Sequence, residues 1–354
     1  MADARHFRRL AGTGIVILGV VAAFLYVGGW FSPESKLTPS RFADGFERVD
    51  GIHSGFRLNH AKGVCVSGSF ESNGQGARLS KAVVFKAGTI PVIGRFSLGG
   101  GIPYVADAPD TVRGFGLLYK LPDGEQWRSA MVNAPVFPFN TPEAFYDSLI
   151  ASQPDPKTGK PDPGKMAAFL AAHPETVRAT KIIQSHPASS GFANSTFYGL
   201  NAFWFTDASG TRMRVRWSMV PVQPFAPVGT TDAAQTDKNY LFDGLIADIH
   251  QQPQQWHLMI TIGQADDPTN DATIPWPDGR EQVDAGTLTL DHVESEETGA
   301  CRDINFDPLI LPDGMAPSDD PLLSARSAVY SQSFTRREGE KKLPSAVTPA
   351  EVQK

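Results

Sequence analysis

Hydrophobic and polar residues alternate in short runs through most of this chain. In residues 212–220, Met213, Val215, Trp217 and Met219 alternate with three arginines and a serine, which is typical of a strand with one buried face. Eight such runs predict strands over Gly63 to Phe70, Thr89 to Leu98, Val112 to Leu121, Trp127 to Asn133, Phe197 to Phe205, Arg212 to Val220, Trp256 to Gly263 and Gly286 to Val293. An antiparallel barrel is their simplest closure, because a closed barrel has no exposed edge.

Helical patterns fill the gaps between these runs but do not follow every strand, which argues against a doubly wound parallel sheet and indicates an α+β fold. Thr141, Pro142 and Glu143 supply an N-cap, a first-turn proline and an early acid for a helix that continues to Ile150. One or two further helices are predicted within residues 163–185, another over 236–251, and a last one from Asp319 to about residue 337. We therefore expect an eight-stranded antiparallel β-barrel with surrounding helices.

The N-terminal part of the chain carries one long apolar run. Leu10 to Trp30 is long enough to cross a bilayer, and Arg5, Arg8 and Arg9 precede it, which predicts a cytoplasmic N-terminus. The remainder would then be exported to the periplasmic or another extracytoplasmic side and held at the membrane by a transmembrane helix over residues 10–30. A cleaved signal peptide is the alternative, although no small-residue cleavage pattern ends the run.

These patterns divide the chain into four segments. Residues 1–31 are the anchor or signal segment, residues 32–42 a linker, residues 43–338 the folded domain and residues 339–354 a flexible tail. The tail is charged, contains prolines and has little to bury.

Composition and charge exclude several classes of function. Hydrophobic residues make up 41% of the 354 residues, as in globular proteins, and a net charge of -6 without a basic stripe excludes nucleic acid as a partner. The two cysteines, Cys65 and Cys301, form no CxxC pair, so structural zinc and thiol redox chemistry have no sequence support. Export would permit a disulfide between them, and two buried thiols are the other interpretation.

Two short segments near opposite ends of the folded part carry candidate chemistry. Arg326 and Tyr330 lie four positions apart on the last predicted helix, so both side chains share one face, and a guanidinium there favours the phenolate. A tyrosinate is a hard anionic ligand suited to ferric iron. His60, at the start of the first predicted strand, is a natural proton shuttle near neutral pH. Each feature alone is also compatible with a purely structural role.

Several motifs occur in a characteristic order along the predicted domain. They are Asn59-His60-Ala61-Lys62-Gly63, Gly94-Arg95-Phe96-Ser97, Asp110-Thr111-Val112-Arg113-Gly114-Phe115, Asn133-Ala134-Pro135-Val136-Phe137, and Asp307-Pro308 followed by Arg326-x-x-x-Tyr330. Taken together, they resemble the haem catalase superfamily. The length is most similar to the short catalase-related peroxidases, which keep the barrel and omit the long N-terminal arm, the wrapping segment and the C-terminal helical part.

The resemblance implies a role for individual residues. His60 corresponds to the distal histidine that transfers the protons of peroxide, Ser97 to the serine that orients it, and Phe145 to the phenylalanine packed on the distal face of the haem. Tyr330 corresponds to the proximal iron ligand and Arg326 to the arginine that keeps it a phenolate. The arginines expected to bind the haem propionates are Arg57, Arg95 and Arg337. The implied cofactor is haem b, iron protoporphyrin IX.

The sequence also departs from the family pattern. Asn133 is the candidate for the catalytic distal asparagine, but an ungapped match requires that residue one position earlier, where this chain has Val132. Either the strand is bulged there or peroxide binding relies on His60 alone. The segment Val112 to Phe115 is shorter than its family equivalent and lacks the acid of the substrate channel, and the polar Asn59 replaces an apolar neighbour of the distal histidine.

We therefore expect a haem-dependent peroxidase that reduces hydrogen peroxide, or organic peroxides, with small organic electron donors, and that has weak catalase activity. The reason is that a short chain without the channel acid should leave the haem more open. The alternatives are a low-efficiency true catalase, an enzyme that rearranges fatty hydroperoxides, a non-catalytic haem-binding carrier or sensor, and a haem-free barrel for a lipid or sugar. The electron donor and the oligomeric state, with a homodimer among the options, are left open.

Overall fold

The computed structural model describes residues 14–25, 36–228 and 237–353. Within these residues one antiparallel sheet closes on itself. Its strands are β1 (Gly63–Ser72), β2 (Gly88–Leu98), β3 (Arg113–Lys120), β4 (Gln126–Val132), β5 (Phe197–Tyr198), β6 (Phe203–Thr206), β7 (Arg212–Pro221), β8 (Gln254–Ile262), β9 (Gln282–Glu294) and β10 (Met315–Pro317). Eight of them form a barrel in the order β7-β5-β4-β3-β2-β1-β9-β8, and the pairing of β8 with β7 completes the ring.

Each predicted run contributes to this sheet, so the predicted eight-stranded antiparallel barrel is confirmed. The run from Phe197 to Phe205 is divided into β5 and β6, because Leu200 between them has a positive φ of 65°. Such a conformation is rare for a bulky side chain and interrupts strand geometry. The interruption places Leu200 and Asn201 at a cavity outside the barrel.

The barrel interior forms the main hydrophobic core. Val64, Val66 and Phe70 of β1 belong to it, whereas Cys65 between them packs in a smaller cluster with Leu118 and Phe306. Strand alternation explains the division, since successive side chains point to opposite faces of the sheet. The smaller cluster therefore lies on the outer face of the barrel.

The described residues form eight α-helices besides the barrel. They are α1 (residues 14–25), α2 (Pro39–Asp50), α3 (Pro142–Ala151), α4 (Pro163–Ala172), α5 (Pro174–Ser185), α6 (Tyr240–Gln251), α7 (Pro321–Glu338) and α8 (Pro349–Val352). The N-cap expected before α3 is present, with Thr141 Oγ1 accepting from the Ala144 amide at 3.1 Å. In α7 the cap is Asp320, whose Oδ1 accepts from the Leu322 amide at 2.9 Å.

Helix α2 begins inside the segment expected to be a linker. Thr38 caps its first turn, Pro39 occupies the first helical position, and Phe42 is buried against Phe145 of α3. Arg336 of α7 donates to Asp44 and Glu47 of α2 at 2.6 and 2.7 Å, which joins the two helices. The expected linker therefore ends before residue 39.

No helix among the described residues is both long and apolar enough to cross a membrane. Helix α1 covers residues 14–25 of the predicted span, and residues 10–13 and 26–30 lie outside the described part of the chain. The transmembrane helix stays a prediction.

The C-terminal segment corrects the expectation of a flexible tail over residues 339–354. Val347 is fully buried and Val352 is 7% exposed, and both belong to the main core. A capping box between Thr348 and Glu351 starts α8, and Asn239 donates to Glu351 Oε1 at 2.9 Å. The segment's charged composition predicts exposure, but its two buried valines pack into the core. Of residues 339–354, only Lys354 lies outside the described part of the chain.

Candidate active site

A cavity lies where β2, β3 and β4 meet helices α2, α3 and α7. Its volume is about 200 Å³, and its walls are mostly apolar. The residues singled out in the sequence that line it are Arg57, His60, Arg95, Ser97, Phe145, Arg326, Tyr330 and Arg337. The fold thus brings together, in one cavity, side chains from both ends of the domain.

His60 lies in a tight turn just before β1. Its φ of 57° is left-handed, a conformation that histidine adopts more readily than bulky apolar residues. Asn59 Oδ1 accepts from the amides of His60 and Gly100 at 2.9 and 2.8 Å, and so fixes the turn. The polar Asn59, which departs from the family pattern, therefore has a structural reason here.

The imidazole of His60 is held against the barrel wall. Ser97 Oγ of β2 lies 3.1 Å from His60 Nδ1. Gly114 of β3 makes this close approach possible, since a Cβ there would lie 2.6 Å from Ser97 Oγ and 2.7 Å from His60 Nδ1. Any larger residue at position 114 would displace the imidazole.

The surroundings of His60 keep it neutral. Burial is the main cause that lowers its pKa to about 3, and the positive charges of Arg95, Arg326 and Arg57 add to the effect. At neutral pH the ring can therefore accept a proton at one nitrogen while the other faces Ser97.

Tyr330 and Arg326 face the same cavity from α7. Arg326 Nη2 lies 3.4 Å from the Tyr330 hydroxyl and donates to the Ala130 carbonyl at 2.9 Å, while Nη1 donates to Asn201 Oδ1 at 2.5 Å. Asn201 in turn donates to the N-cap residue Asp320 at 2.8 Å. This chain of contacts fixes the guanidinium beside the phenol.

Phe145 belongs to an aromatic wall of the cavity. Its ring stacks on Phe139 at a centroid distance of 4.8 Å and makes edge contacts with Phe42, Phe46 and Phe137. Rings packed in this way present a rigid apolar surface to a bound ligand.

Arg57 and Arg337 are held by backbone carbonyls rather than by acids. Arg57 Nη2 donates to the carbonyls of Cys301, Arg302 and Ile304 at 3.0, 3.3 and 3.1 Å, and Arg337 Nη1 donates to the Arg302 carbonyl. Among the described residues, the Nε atoms of both arginines and Nη2 of Arg337 are buried without a partner. Buried N–H groups of this kind indicate an absent acceptor.

A disulfide braces the loop that supplies those carbonyls. Cys65 of β1 and Cys301 are bonded, with their Cα atoms 5.3 Å apart and a sequence separation of 236. Cys301 lies in the short 3₁₀ turn Ala300–Asp303. Of the two interpretations of the cysteines, the disulfide is the one that forms.

Arg95 differs from the other two arginines. Its Nε and Nη2 donate to the two carboxylate oxygens of Glu296 at 2.7 and 2.9 Å, and both side chains are buried. Burial raises the pKa of Glu296, but the charges of Arg95, Arg57 and Arg337 and the hydrogen bonds from Arg95 outweigh it, so the pKa lies below its usual range. Glu296 is therefore ionised.

The structure contradicts the expectation that Asn133 faces the cavity. Val132 lines it instead, while Asn133 Oδ1 accepts from the Arg113 amide at 2.8 Å. The pairing of β3 with β4 runs to Gly114 and Val132 without a register shift, so no bulge turns Asn133 inward. Of the two possibilities raised by the sequence, the one that relies on His60 fits this geometry.

Sequence reasoning assigned no site role to four residues: Gly114, Asn201, Glu296 and Asp320. Asp320 had a signal, because an acid before Pro321 is an N-cap pattern, but its second contact to Asn201 had none. Glu296 lies in an acidic run, Glu294 to Glu297, which is typical of an exposed loop. Only the fold distinguishes it from its neighbours.

Comparisons with known proteins agree with this geometry. The catalase family model matches residues 44–352. A catalase-related peroxidase from Synechococcus elongatus is 36% identical over 333 residues, covering 94% of this chain and 97% of that protein. Another from Mycolicibacterium paratuberculosis is 31% identical over 304 residues, covering 86% of this chain and 96% of that protein.

Solved structures support the fold alone, because their sequences are distant. Catalase A from Saccharomyces cerevisiae superposes with a TM-score of 0.71 at 19% identity, over 81% of this chain and 62% of that one. A bacterial catalase gives a TM-score of 0.72 at 20% identity, over 81% of this chain and 58% of that one. This chain thus spans less than two thirds of either protein.

Proposed function

The chain belongs to the catalase family, and we propose that it is a haem-dependent peroxidase that reduces hydrogen peroxide with small organic electron donors. The observation that carries this proposal is the meeting in one cavity of neutral His60, Tyr330 beside Arg326, and guanidinium groups with unpaired N–H atoms. The relatives that match almost their whole length are named catalase-related peroxidases, which supports peroxidase chemistry.

The residues present fit a haem b group. Its apolar ring suits a cavity walled by Phe145 and other aromatic side chains, and its two carboxylates suit the unpaired N–H atoms of Arg57 and Arg337. Tyr330 supplies the phenolic oxygen expected of a tyrosine ligand to iron. Among the described residues no other group of His, Cys, Asp and Glu side chains could hold a metal.

In the proposed reaction His60 transfers protons. When bound, haem supplies the iron centre at which the peroxide O–O bond is broken. A neutral imidazole that donates from Nδ1 to Ser97 leaves Nε2 free to take the proton of one peroxide oxygen and deliver it to the oxygen that leaves. Arg326 Nη2 lies 3.4 Å from the Tyr330 hydroxyl and can donate to the phenolic oxygen, and the electron donor restores the resting enzyme.

Peroxidase activity is preferred over catalase activity for two reasons. Val132 stands at the cavity wall where the family pattern expects an amide, so that His60 alone handles the peroxide. The relatives named catalase are also less similar, at 27% identity over 59% of their own length for the rat protein. We therefore expect oxidation of a small phenolic or aniline donor to outpace oxygen release from peroxide alone.

Two substitutions test the proposal. Tyr330→Phe removes the expected iron ligand, so we expect lost or altered haem binding, measured as haem content and visible spectrum. His60→Ala keeps haem but should lose about 10²- to 10⁴-fold in peroxidase turnover, the range for a general acid-base group. Matched controls are Tyr119→Phe, whose buried hydroxyl has no partner among the described residues, and the exposed His292→Ala.

Two outcomes would contradict the proposal. If both active-site variants retained the haem content and turnover of the wild type, the site assignment would be wrong. If the wild-type protein, expressed with ample haem, were purified colourless, the haem function itself would fail.

We further propose that the protein is exported and held at the membrane through residues 10–30. The disulfide between Cys65 and Cys301 supports export, since disulfides persist in oxidising compartments. Fractionation of cells that express the full chain would test this, and recovery of the protein with thiol-reduced cytosolic proteins would contradict it.

A further inference from the structure

A shallow groove lies on the surface between the end of α2 and helix α7, directly behind one wall of the candidate active-site cavity. Arg57, Leu58 and Ser333 line both the groove and the cavity. Ser333 Oγ accepts from the Leu58 amide at 3.2 Å, which closes the wall between the two. A molecule in the groove is therefore separated from the cavity by a single layer of residues.

The rim of the groove is apolar and exposed. Ile52 lines it and is 74% exposed, and Phe56 lines it beside Tyr104, whose ring makes an edge contact at a centroid distance of 5.7 Å. Gly101 also lines the groove, and the residue after it, Ile102, is 43% exposed. Exposed apolar residues clustered around a depression are typical of a binding site for an apolar or aromatic ligand.

The depth of the groove limits the kind of ligand that it can take. Its enclosed volume is about 10 Å³, roughly the room that one water molecule needs. A ligand must therefore lie against the exposed rim rather than insert below it. A small aromatic ring suits such a surface, because it is flat, rigid and apolar on its faces.

The polar side of the groove includes an acid with a free oxygen. Glu340 Oε2 accepts from the Gly55 amide at 2.7 Å, and Glu340 Oε1 has no hydrogen bond among the described residues. Arg336 also lines the groove, but it already donates to Asp44 and Glu47. The free carboxylate oxygen can accept from a phenolic O–H or an aromatic amine, whereas it would repel an anionic ligand.

We propose that this groove binds the small aromatic electron donors of the proposed peroxidase, and that it favours phenols and aromatic amines over aromatic carboxylates. We call it the donor groove and define it by Ile52, His53, Phe56, Gly101 and Glu340. The inference rests on the proposed function, which leaves the place of the donor open. A donor in this groove gives its electron through the shared wall and does not enter the cavity that peroxide uses.

The overall reaction balances with a phenol as donor. Two phenol molecules each lose one electron and one proton and become phenoxyl radicals. One hydrogen peroxide molecule takes up both electrons and both protons, its O–O bond breaks, and two water molecules form. No further oxidant or reductant is needed.

A thiol placed at the rim gives a direct test on the haem-loaded protein. Both native cysteines are in the disulfide, so Ile52→Cys supplies a single free thiol for a bulky maleimide. The label should cover the apolar rim and raise the KM for p-cresol by about tenfold or more. The rate at which peroxide alone changes the haem spectrum should stay within about twofold of the wild type, because peroxide does not use the groove.

The matched control is Val222→Cys with the same label. Val222 is also apolar and exposed, at 48%, and lines neither the donor groove nor the active-site cavity. Its labelled variant should keep the wild-type KM. If the label on Ile52→Cys also slows the peroxide reaction, Ile52→Ser replaces it as the test. That change removes only apolar surface and should raise the KM for p-cresol by about threefold.

Proton relaxation measures donor binding without turnover. The ferric haem iron is paramagnetic, so it speeds the NMR relaxation of p-cresol protons that are held near it. We expect this effect in the wild type and in labelled Val222→Cys, and its loss in labelled Ile52→Cys.

Glu340→Gln tests the preference for one class of donor. The wild type should have a KM for p-cresol about fivefold below that for the anionic 4-hydroxybenzoate, the scale of an exposed charge interaction. Gln keeps an acceptor for the Gly55 amide but removes the charge, so the two KM values should approach each other.

The possible results distinguish this proposal from the proposed function. Unchanged KM and unchanged relaxation in labelled Ile52→Cys would overturn the proposal, because the donor would then reach the haem by another path. A lower KM for 4-hydroxybenzoate than for p-cresol would overturn the class of donor. A wild-type protein that binds no haem, or that binds haem and oxidises no donor, would instead refute the peroxidase function.

Discussion

Two buried ion pairs border the first barrel strand, and they differ in how completely they are satisfied. In the pair of Lys62 with Asp107, the ammonium group uses all three donors, on Asp107 Oδ1 at 2.6 Å and on the carbonyls of Val105 and Lys238 at 2.8 and 3.0 Å. Asp107 Oδ2 accepts from the Leu241 amide at 2.8 Å. Neither residue of this pair lines the candidate active-site cavity.

The pair of Arg95 with Glu296 lies beside Arg57 and Arg337, each of which has at least one buried N–H group without an acceptor among the described residues. Both pairs are buried and both join segments distant in sequence, so burial alone does not separate them. The two pairs differ in their surroundings. The polar groups of Lys62 and Asp107 are all hydrogen-bonded, which is typical of a structural pair, whereas the unpaired N–H groups beside Arg95 indicate a binding site for a ligand. The two pairs should therefore respond differently to substitution.

The largest effect is expected for Asp107→Asn. This change leaves the Lys62 charge buried without its carboxylate, so the free energy of unfolding should fall by about 3–5 kcal/mol. Haem loss from the folded protein should stay at the wild-type rate, because the pair does not touch the cavity. Urea unfolding and haem transfer to apomyoglobin measure the two quantities.

The control for Asp107→Asn is Asp313→Asn, at the exposed pair with Lys81, which should leave stability unchanged. If Asp107→Asn accelerated haem loss, the pair of Lys62 with Asp107 would contribute to haem binding, and the distinction between it and the arginines of the cavity would be wrong.

The second effect concerns the disulfide, which connects strand β1 to the loop whose carbonyls contact Arg57 and Arg337. Replacing both Cys65 and Cys301 by serine should lower the free energy of unfolding by about 2–4 kcal/mol, as for other long loops. It should also accelerate haem loss, because the carbonyls of Cys301 and Arg302 orient Arg57 and Arg337.

Wild-type protein with the disulfide reduced is the control for the serine side chains, because it should behave like the double serine variant. Loss of stability without faster haem loss would mean that the carbonyl loop keeps its position without the disulfide.

How much of the fold and of the candidate site the sequence predicts depends on how far apart in sequence the interacting residues lie. The barrel strands and helix α3 follow from alternation and from the cap at Thr141, which are local patterns. The cavity residues His60, Arg326 and Tyr330 are recognisable from the order of motifs along the whole chain. Periodicity alone did not identify them.

The errors share one cause, which is that the deciding partner lies far away in sequence. Asn133 contains the right functional group, but the continuous register with β3 turns it away from the cavity. Val347 looks like a residue of a charged tail until the fold brings it to the core. Glu296 differs from the neighbouring acids only because Arg95, 201 residues away, meets it.

The smallest effect is the pH dependence that His60 contributes to stability, which arises from its burial and from the arginines around it. The pKa of the folded imidazole is lowered to about 3 by burial and by the charges of Arg95, Arg326 and Arg57. The unfolded imidazole binds a proton below about pH 6.5. The stability due to neutral His60 is therefore complete above pH 6.5 and is lost as the pH falls toward 3, by at most about 1.4 kcal/mol per pH unit.

Urea unfolding of the haem-free protein at pH 7 and pH 5 measures this contribution. The wild type should lose about 2 kcal/mol more than His60→Ala over that interval, while other titrating groups cancel in the comparison. With haem bound, its carboxylates offset the charges of the arginines, so the difference between the two proteins should shrink. Equal losses in wild type and His60→Ala without haem would show that neither burial nor the charges of the arginines lowers the pKa of His60.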